Sequence, residues 1–223
     1  MSAEVQAGLL LIGVPIAFNV IFIALGRVFD YPDILRRPTD EILRRFAAGG
    51  RRLVLLWYAF ALIGVLFIPL ALIIGELTAD DPLGRASVPF GLIAGVVQLI
   101  GLLRWPFLVP LLAGAYVATG ASQASRDAIA VTFESAHRFL GMAIGEHLGY
   151  LFTAVWSVLV ALALEGSGLV PDVLALAGLV PTAAILVGLL EPAGWRPAGA
   201  INAIAYLAWS MWLVALGIAL LLL

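Results

Sequence analysis

Long apolar runs separated by short clusters of charged and turn-forming residues dominate the chain. They lie near residues 7–29, 53–75, 88–117, 139–164, 173–190 and 198–222. Most reach the roughly 20 residues that an α-helix needs to cross the hydrocarbon core of a bilayer. The runs are continuous and do not alternate with period two, which disfavours an outer-membrane-type barrel. The pattern predicts an all-α, polytopic transmembrane bundle of about six spans forming a single domain over residues 1–223.

Two stretches depart from a plain apolar run. The third, from Val88 to Val117, would extend about 45 Å as one helix, well beyond a hydrocarbon core of roughly 30 Å. Pro106 and Pro110 lack the N–H that would bond back along the ladder, which predicts a kink or break near Arg104-Trp105-Pro106. Between the first two spans, residues 30–52 form the longest polar segment. Thr39 suits an N-cap, Asp40 and Glu41 suit the positive end of a helix, and Gly49-Gly50 suits its end. Ile42, Leu43 and Phe46 fall on one side and Arg44 and Arg45 on another, the signature of an amphipathic elbow lying in the headgroup region.

Composition sharpens this reading. The chain is 63% hydrophobic and only 12% charged, too little polar surface to coat a water-facing protein. It contains no Cys, which removes disulfides, thiolate nucleophiles, thiolate zinc sites and iron–sulfur clusters. All 12 basic residues are Arg. Arg27, Arg36, Arg37, Arg44, Arg45, Arg51 and Arg52 flank the first connection, Arg126 and Arg138 the third, and Arg196 the fifth, whereas the second has Arg85 and the fourth none. The positive-inside rule then makes the odd-numbered connections cytoplasmic and puts both termini on the outer side of a bacterial inner membrane. The first run has Glu4 and no basic residue before it, unlike a secretory signal, and reads as an uncleaved helix. Membrane lipids are the expected surroundings, and with no basic face away from the membrane, nucleic acid is not an expected partner.

Three stretches carry a resemblance: Tyr31-Pro32-Asp33-Ile34-Leu35-Arg36 continuing through Pro38-Thr39-Asp40-Glu41-Ile42-Leu43, then Leu103-Arg104-Trp105-Pro106-Phe107-Leu108-Val109-Pro110, then Gly145-Glu146-His147-Leu148-Gly149-Tyr150. Together they resemble a bacterial family of integral membrane proteins catalogued as a domain of unknown function. The resemblance implies a six-helix inner-membrane protein and brings no reaction, substrate or catalytic residue with it. The all-Arg, Ala-rich composition also suits a GC-rich bacterial genome.

Candidate chemistry concentrates at one depth. Counted from Val88, Arg104 lies about 24 Å along its span, and counted back from Leu164, Glu146 and His147 lie about 26 Å along theirs. Tyr58 and Asn202 fall one to two turns inside their own spans at the same end, while Gln98 and Asn19 lie nearer the midplane. An obligate cation in a bilayer must pair, hydrate or snorkel, so Arg104 with Trp105, Glu146, His147, Tyr58, Asn202, Gln98 and His137 forms the candidate ligand-binding set. Two uses share these residues. Arg104 either snorkels or ties the third and fourth spans together through Glu146, or the group surrounds a small-molecule cavity.

On the fourth span His137, Gly141, Gly145, Gly149 and Thr153 recur every four residues. That ridge suits close helix packing, an acyl chain or flat ligand, or contact with a second copy in a homo-oligomer. Glu134 and His137 have the spacing of bundle carboxylate metal sites, yet no second such pair exists, so no metal is expected. His137 and His147 lie roughly 15 Å apart along one helix and cannot clamp one haem iron within a monomer, and no nucleotide or hydrolase fingerprint occurs, so no cofactor is expected. Three functions remain open. The first is binding or transport of a small amphiphile or organic anion at Arg104. The second is an enzyme acting on a lipid or isoprenoid-like substrate, with Glu146 or His147 as catalytic proton carrier. The third is a structural or signalling subunit that recruits a partner through the Arg-rich elbow.

Overall fold

The structure is a computed structural model that describes residues 1–195 and 197–223. Arg196, counted above in the fifth connection, lies outside the described residues. Among the described residues every regular element is helical. Besides short 3-10 turns at Asp33–Arg36 and Gly188–Leu190, these are in chain order α1 (Ala3–Phe29), α2 (Thr39–Val65), α3 (Phe67–Leu77), α4 (Pro82–Phe107), α5 (Val109–Val117) and α6 (Gln123–Ala136), then a π-helical segment (His137–Leu148), α7 (Gly149–Leu164), α8 (Asp172–Ala177), α9 (Leu179–Val187) and α10 (Ala198–Leu221). Among the described residues six stretches are long and apolar enough to cross a membrane: Ala3–Phe29, Thr39–Leu77, Pro82–Val117, Gln123–Leu164, Asp172–Leu190 and Ala198–Leu221.

These six stretches follow the six apolar runs, but the second and fourth begin far earlier than hydropathy suggests. Residues 39–52 and 123–138 are polar yet amphipathic, and a helix continues as long as its backbone bonds and one packed face support it, whether or not lipid surrounds it. Within α2 the expected punctuation appears as a break, not an end: Gly50 adopts φ 53, ψ −151, a region open essentially to glycine. Ile42, Leu43 and Phe46 are buried, whereas Arg44 and Arg45 are exposed, as the elbow pattern requires.

In the third span the interruption is one residue. Leu108 separates α4 from α5 but keeps helical angles, φ −89 and ψ −47. Its N–H donates to the Arg104 carbonyl at 2.9 Å, and its own carbonyl accepts from Leu112 at 3.2 Å. Pro106 and Pro110 remove ladder donors, and the bonds on either side of them are made.

By its internal contacts the chain divides into two compact units, residues 1–17, 65–97 and 147–223 in the first and 18–64 and 98–146 in the second. The first is built around Phe67, Trp156, Trp209, Trp212, Leu213 and Leu216. Trp209 and Trp212 are structural there, since the indole N–H groups donate to Ser157 Oγ at 2.8 Å and to the Leu174 carbonyl at 2.9 Å. Gly8 and Gly217 let two backbones approach, a Cβ at Gly217 falling 2.7 Å from the Gly8 carbonyl oxygen.

The second unit has an aromatic core. Trp57 and Trp105 stack at 4.5 Å with 10° between their planes, and Phe29 meets both edge-on. Phe46 stacks on Trp105 at 5.8 Å, and Leu25, Ile34, Leu43, Phe60 and Phe133 complete the cluster. Offset and edge-to-face ring pairs add to simple area burial, so this packing is rigid as well as apolar.

Candidate functional site

Arg104 lies one turn before the end of α4 and is only 7% exposed. Its Nη1 donates to the Gly101 carbonyl one turn back. Nη2 lies 3.5 Å from His137 Nδ1, a hydrogen bond when that ring nitrogen carries no proton. The guanidinium carbon sits 5.2 Å from the centre of the Trp105 ring, within cation–π range. Nε is buried and has no hydrogen-bond partner.

Two glycines shape the surroundings of this cation. A Cβ at Gly141 would fall 2.6 Å from Arg104 Cζ, so the guanidinium occupies the space that a side chain there would take. One turn along, a Cβ at Gly145 would lie 2.9 Å from the Gly101 Cα. Gly101 and Arg104 thus face Gly145 and Gly141 in antiparallel register, which is what brings an arginine on one span against the backbone of another. The facing backbone is the π-helical segment. Such i→i+5 turns are rare and recur at functional sites.

Around the cation the partners are mostly neutral. His137 stacks on Phe133, their rings 5.5 Å apart and 11° from parallel, and meets Trp105 edge-on. Among the described residues no carboxylate forms an ion pair with Arg104. Glu146, half-buried, acts electrostatically on both Arg104 and Tyr31. The Tyr31 phenol lies outside the spans and is held well above its ordinary value, first by burial, then by the Glu146 charge, against the opposing pull of Arg104.

Arg104, Trp105, His137 and Glu146 therefore share the second unit. Tyr58 belongs to that unit but is exposed, with its ring 6.1 Å from Phe107. Gln98 is half-buried there and has interactions of its own. His147 and Asn202 belong to the first unit. Asn202 is buried and donates from its amide nitrogen to the Ile185 carbonyl at 2.9 Å, satisfying a group near the end of α9. Glu134 accepts from Thr39 Oγ1 at 2.9 Å while His137 faces Arg104, so the two are engaged separately. The contributions of Tyr31, Trp57 and Gly101 escaped sequence reasoning. Nothing in the order of residues says which rings meet.

Large apolar side chains such as Leu9, Val20, Leu111, Val180 and Ile204 stand half or more exposed along these helices. Such surface is at home against lipid. Six membrane-length apolar stretches among the described residues, with lipid-type surfaces, make this an integral, multi-pass membrane protein. A family profile described as Domain of unknown function (DUF4386) matches residues 6–217, and the chain belongs to that family. No curated protein and no solved structure matches it.

Proposed function

We propose that this protein binds or transports a small amphiphile or organic anion whose acidic head is held by Arg104. One observation carries the reading: a guanidinium buried within a membrane-spanning helix, with neutral hydrogen-bond partners, no ion pair among the described residues and an Nε–H without a hydrogen bond. A buried charge that lacks an ion-pair partner costs several kcal/mol. An acidic ligand offers what the protein leaves missing, and guanidinium geometry suits a carboxylate or phosphate.

The setting we propose is a bacterial inner membrane, with both termini outside and Arg104 in the inner half. It rests on ten arginines in the odd-numbered connections against one in the even-numbered. The test is native mass spectrometry of protein extracted in mild detergent, beside Arg104→Gln. An added mass on the wild type that the variant loses supports the reading. Bare protein in both samples, equally stable, overturns it.

A further inference from the structure

The arginines around the α1–α2 connection are treated unequally by the fold. Arg37 pairs with Asp30 at 2.7 Å and Glu41 at 3.2 Å, and Arg45 reaches the same two carboxylates at 3.6 and 3.1 Å. Two acids and two bases close this ring, so it carries no net charge. Arg36 pairs with Asp33 at 3.7 Å, and Arg44 lies over the Tyr116 ring at 5.5 Å. Arg51 and Arg52 differ from these: both are exposed and, like Arg27 near the end of α1, neither has an ion pair or side-chain hydrogen bond among the described residues.

Their position supplies a second observation. After the break at Gly50, α2 runs from Arg51 directly into its apolar stretch. Leu55, Tyr58 and Leu62 follow Arg51 at helical spacing and are 54, 40 and 48% exposed, so they form one outward stripe with Arg51 at its head. Phe107, 67% exposed, meets Tyr58 and widens that apolar face onto α4. Two unpaired guanidinium groups thus stand where a lipid-facing surface begins.

We infer that this face binds an anionic phospholipid, its phosphate held by Arg51 and Arg52 and an acyl chain lying along Leu55, Tyr58, Leu62 and Phe107. The head must be anionic because both cations lack a counter-charge, and guanidinium matches phosphate in geometry. The ligand must carry a chain because the stripe starts one turn below the cations. A zwitterionic headgroup brings its own cation to a surface that already has two, so it binds less well.

The experiment uses the full chain in mixed micelles holding equal phosphatidylglycerol and phosphatidylcholine, with bound lipids counted by native mass spectrometry. The wild type retains phosphatidylglycerol in preference, and rising salt erodes the preference. The double variant R51Q/R52Q binds it about 30-fold more weakly, the loss expected for two basic side chains at a membrane surface. Arg85→Gln leaves it unchanged, which shows that the loss does not follow from removing any exposed arginine. Should the double variant fail to insert, the wild type still decides, because equal retention of the two lipids overturns the inference. So does complete displacement of phosphatidylglycerol by millimolar inorganic phosphate, which would make the pair a site for the free anion.

Discussion

Gly141→Ala tests the contact on which the candidate site depends. The added methyl would sit 2.6 Å from Arg104 Cζ and Nη2 and 3.1 Å from Nε, far inside van der Waals contact. The guanidinium must move, and moving it pulls Nη1 from the Gly101 carbonyl and Nη2 from His137. Overpacking costs about 1–3 kcal/mol, and loss of a hydrogen bond to a charged group about 1.5–3 kcal/mol. Replacing glycine by alanine in a helix interior returns roughly 1 kcal/mol. With one of these bonds given up, a net loss of about 1.5–5 kcal/mol follows, measurable by reversible unfolding in mixed detergent. A double-mutant cycle with Arg104→Gln isolates the cause, because a shorter neutral side chain leaves room for the methyl. The coupling between the two positions should then reach about 1–3 kcal/mol. Additive effects, or an alanine variant within 0.5 kcal/mol of wild type, would refute the reasoning.

Two further predictions concern other parts of the molecule. Asn202→Leu leaves the Ile185 carbonyl buried without its donor and should cost about 1–3 kcal/mol in the same unfolding assay, whereas no loss would mean that water replaces the amide. Tyr31 gives a pH dependence: its folded pKa is raised above the ordinary value near 10, so the unfolded chain ionises first. That contribution is fully present below about pH 10 and lost as the pH rises above it. Tyr31→Phe should flatten stability between pH 9 and pH 11 relative to wild type, and identical slopes for the two proteins would count against a buried phenol.

The apolar runs marked the spans because lipid imposes one strong demand, an uninterrupted apolar surface with every backbone group bonded internally. The arginine at position 104 was equally conspicuous, since a charge within such a run has no ordinary explanation. Matching depths along two spans pointed to Arg104 and Glu146 together, and the Gly101–Gly145 approach shows what sets that register. The π-helical segment was not legible. His137 to Leu148 has the same small and apolar spacing whether its bonds run i→i+4 or i→i+5, and the choice depends on what packs against it. Helix α6 escaped for another reason: its residues are polar, and hydropathy reports the solvent around a helix, not the helix.

The break at Gly50 and the notch at Gly141 hold glycine for unlike reasons, and saturation mutagenesis would tell them apart. A Cβ at Gly50 meets nothing within 4 Å, so space is free there and the constraint lies wholly in the backbone angles. Every L residue should pay much the same penalty, about 1–3 kcal/mol, giving a profile flat in side-chain size. At Gly141 the penalty should climb with each added atom. A position that tolerates one residue type for conformation and another for volume would look equally invariant in any set of related sequences, and only the shape of the response reveals which constraint is at work.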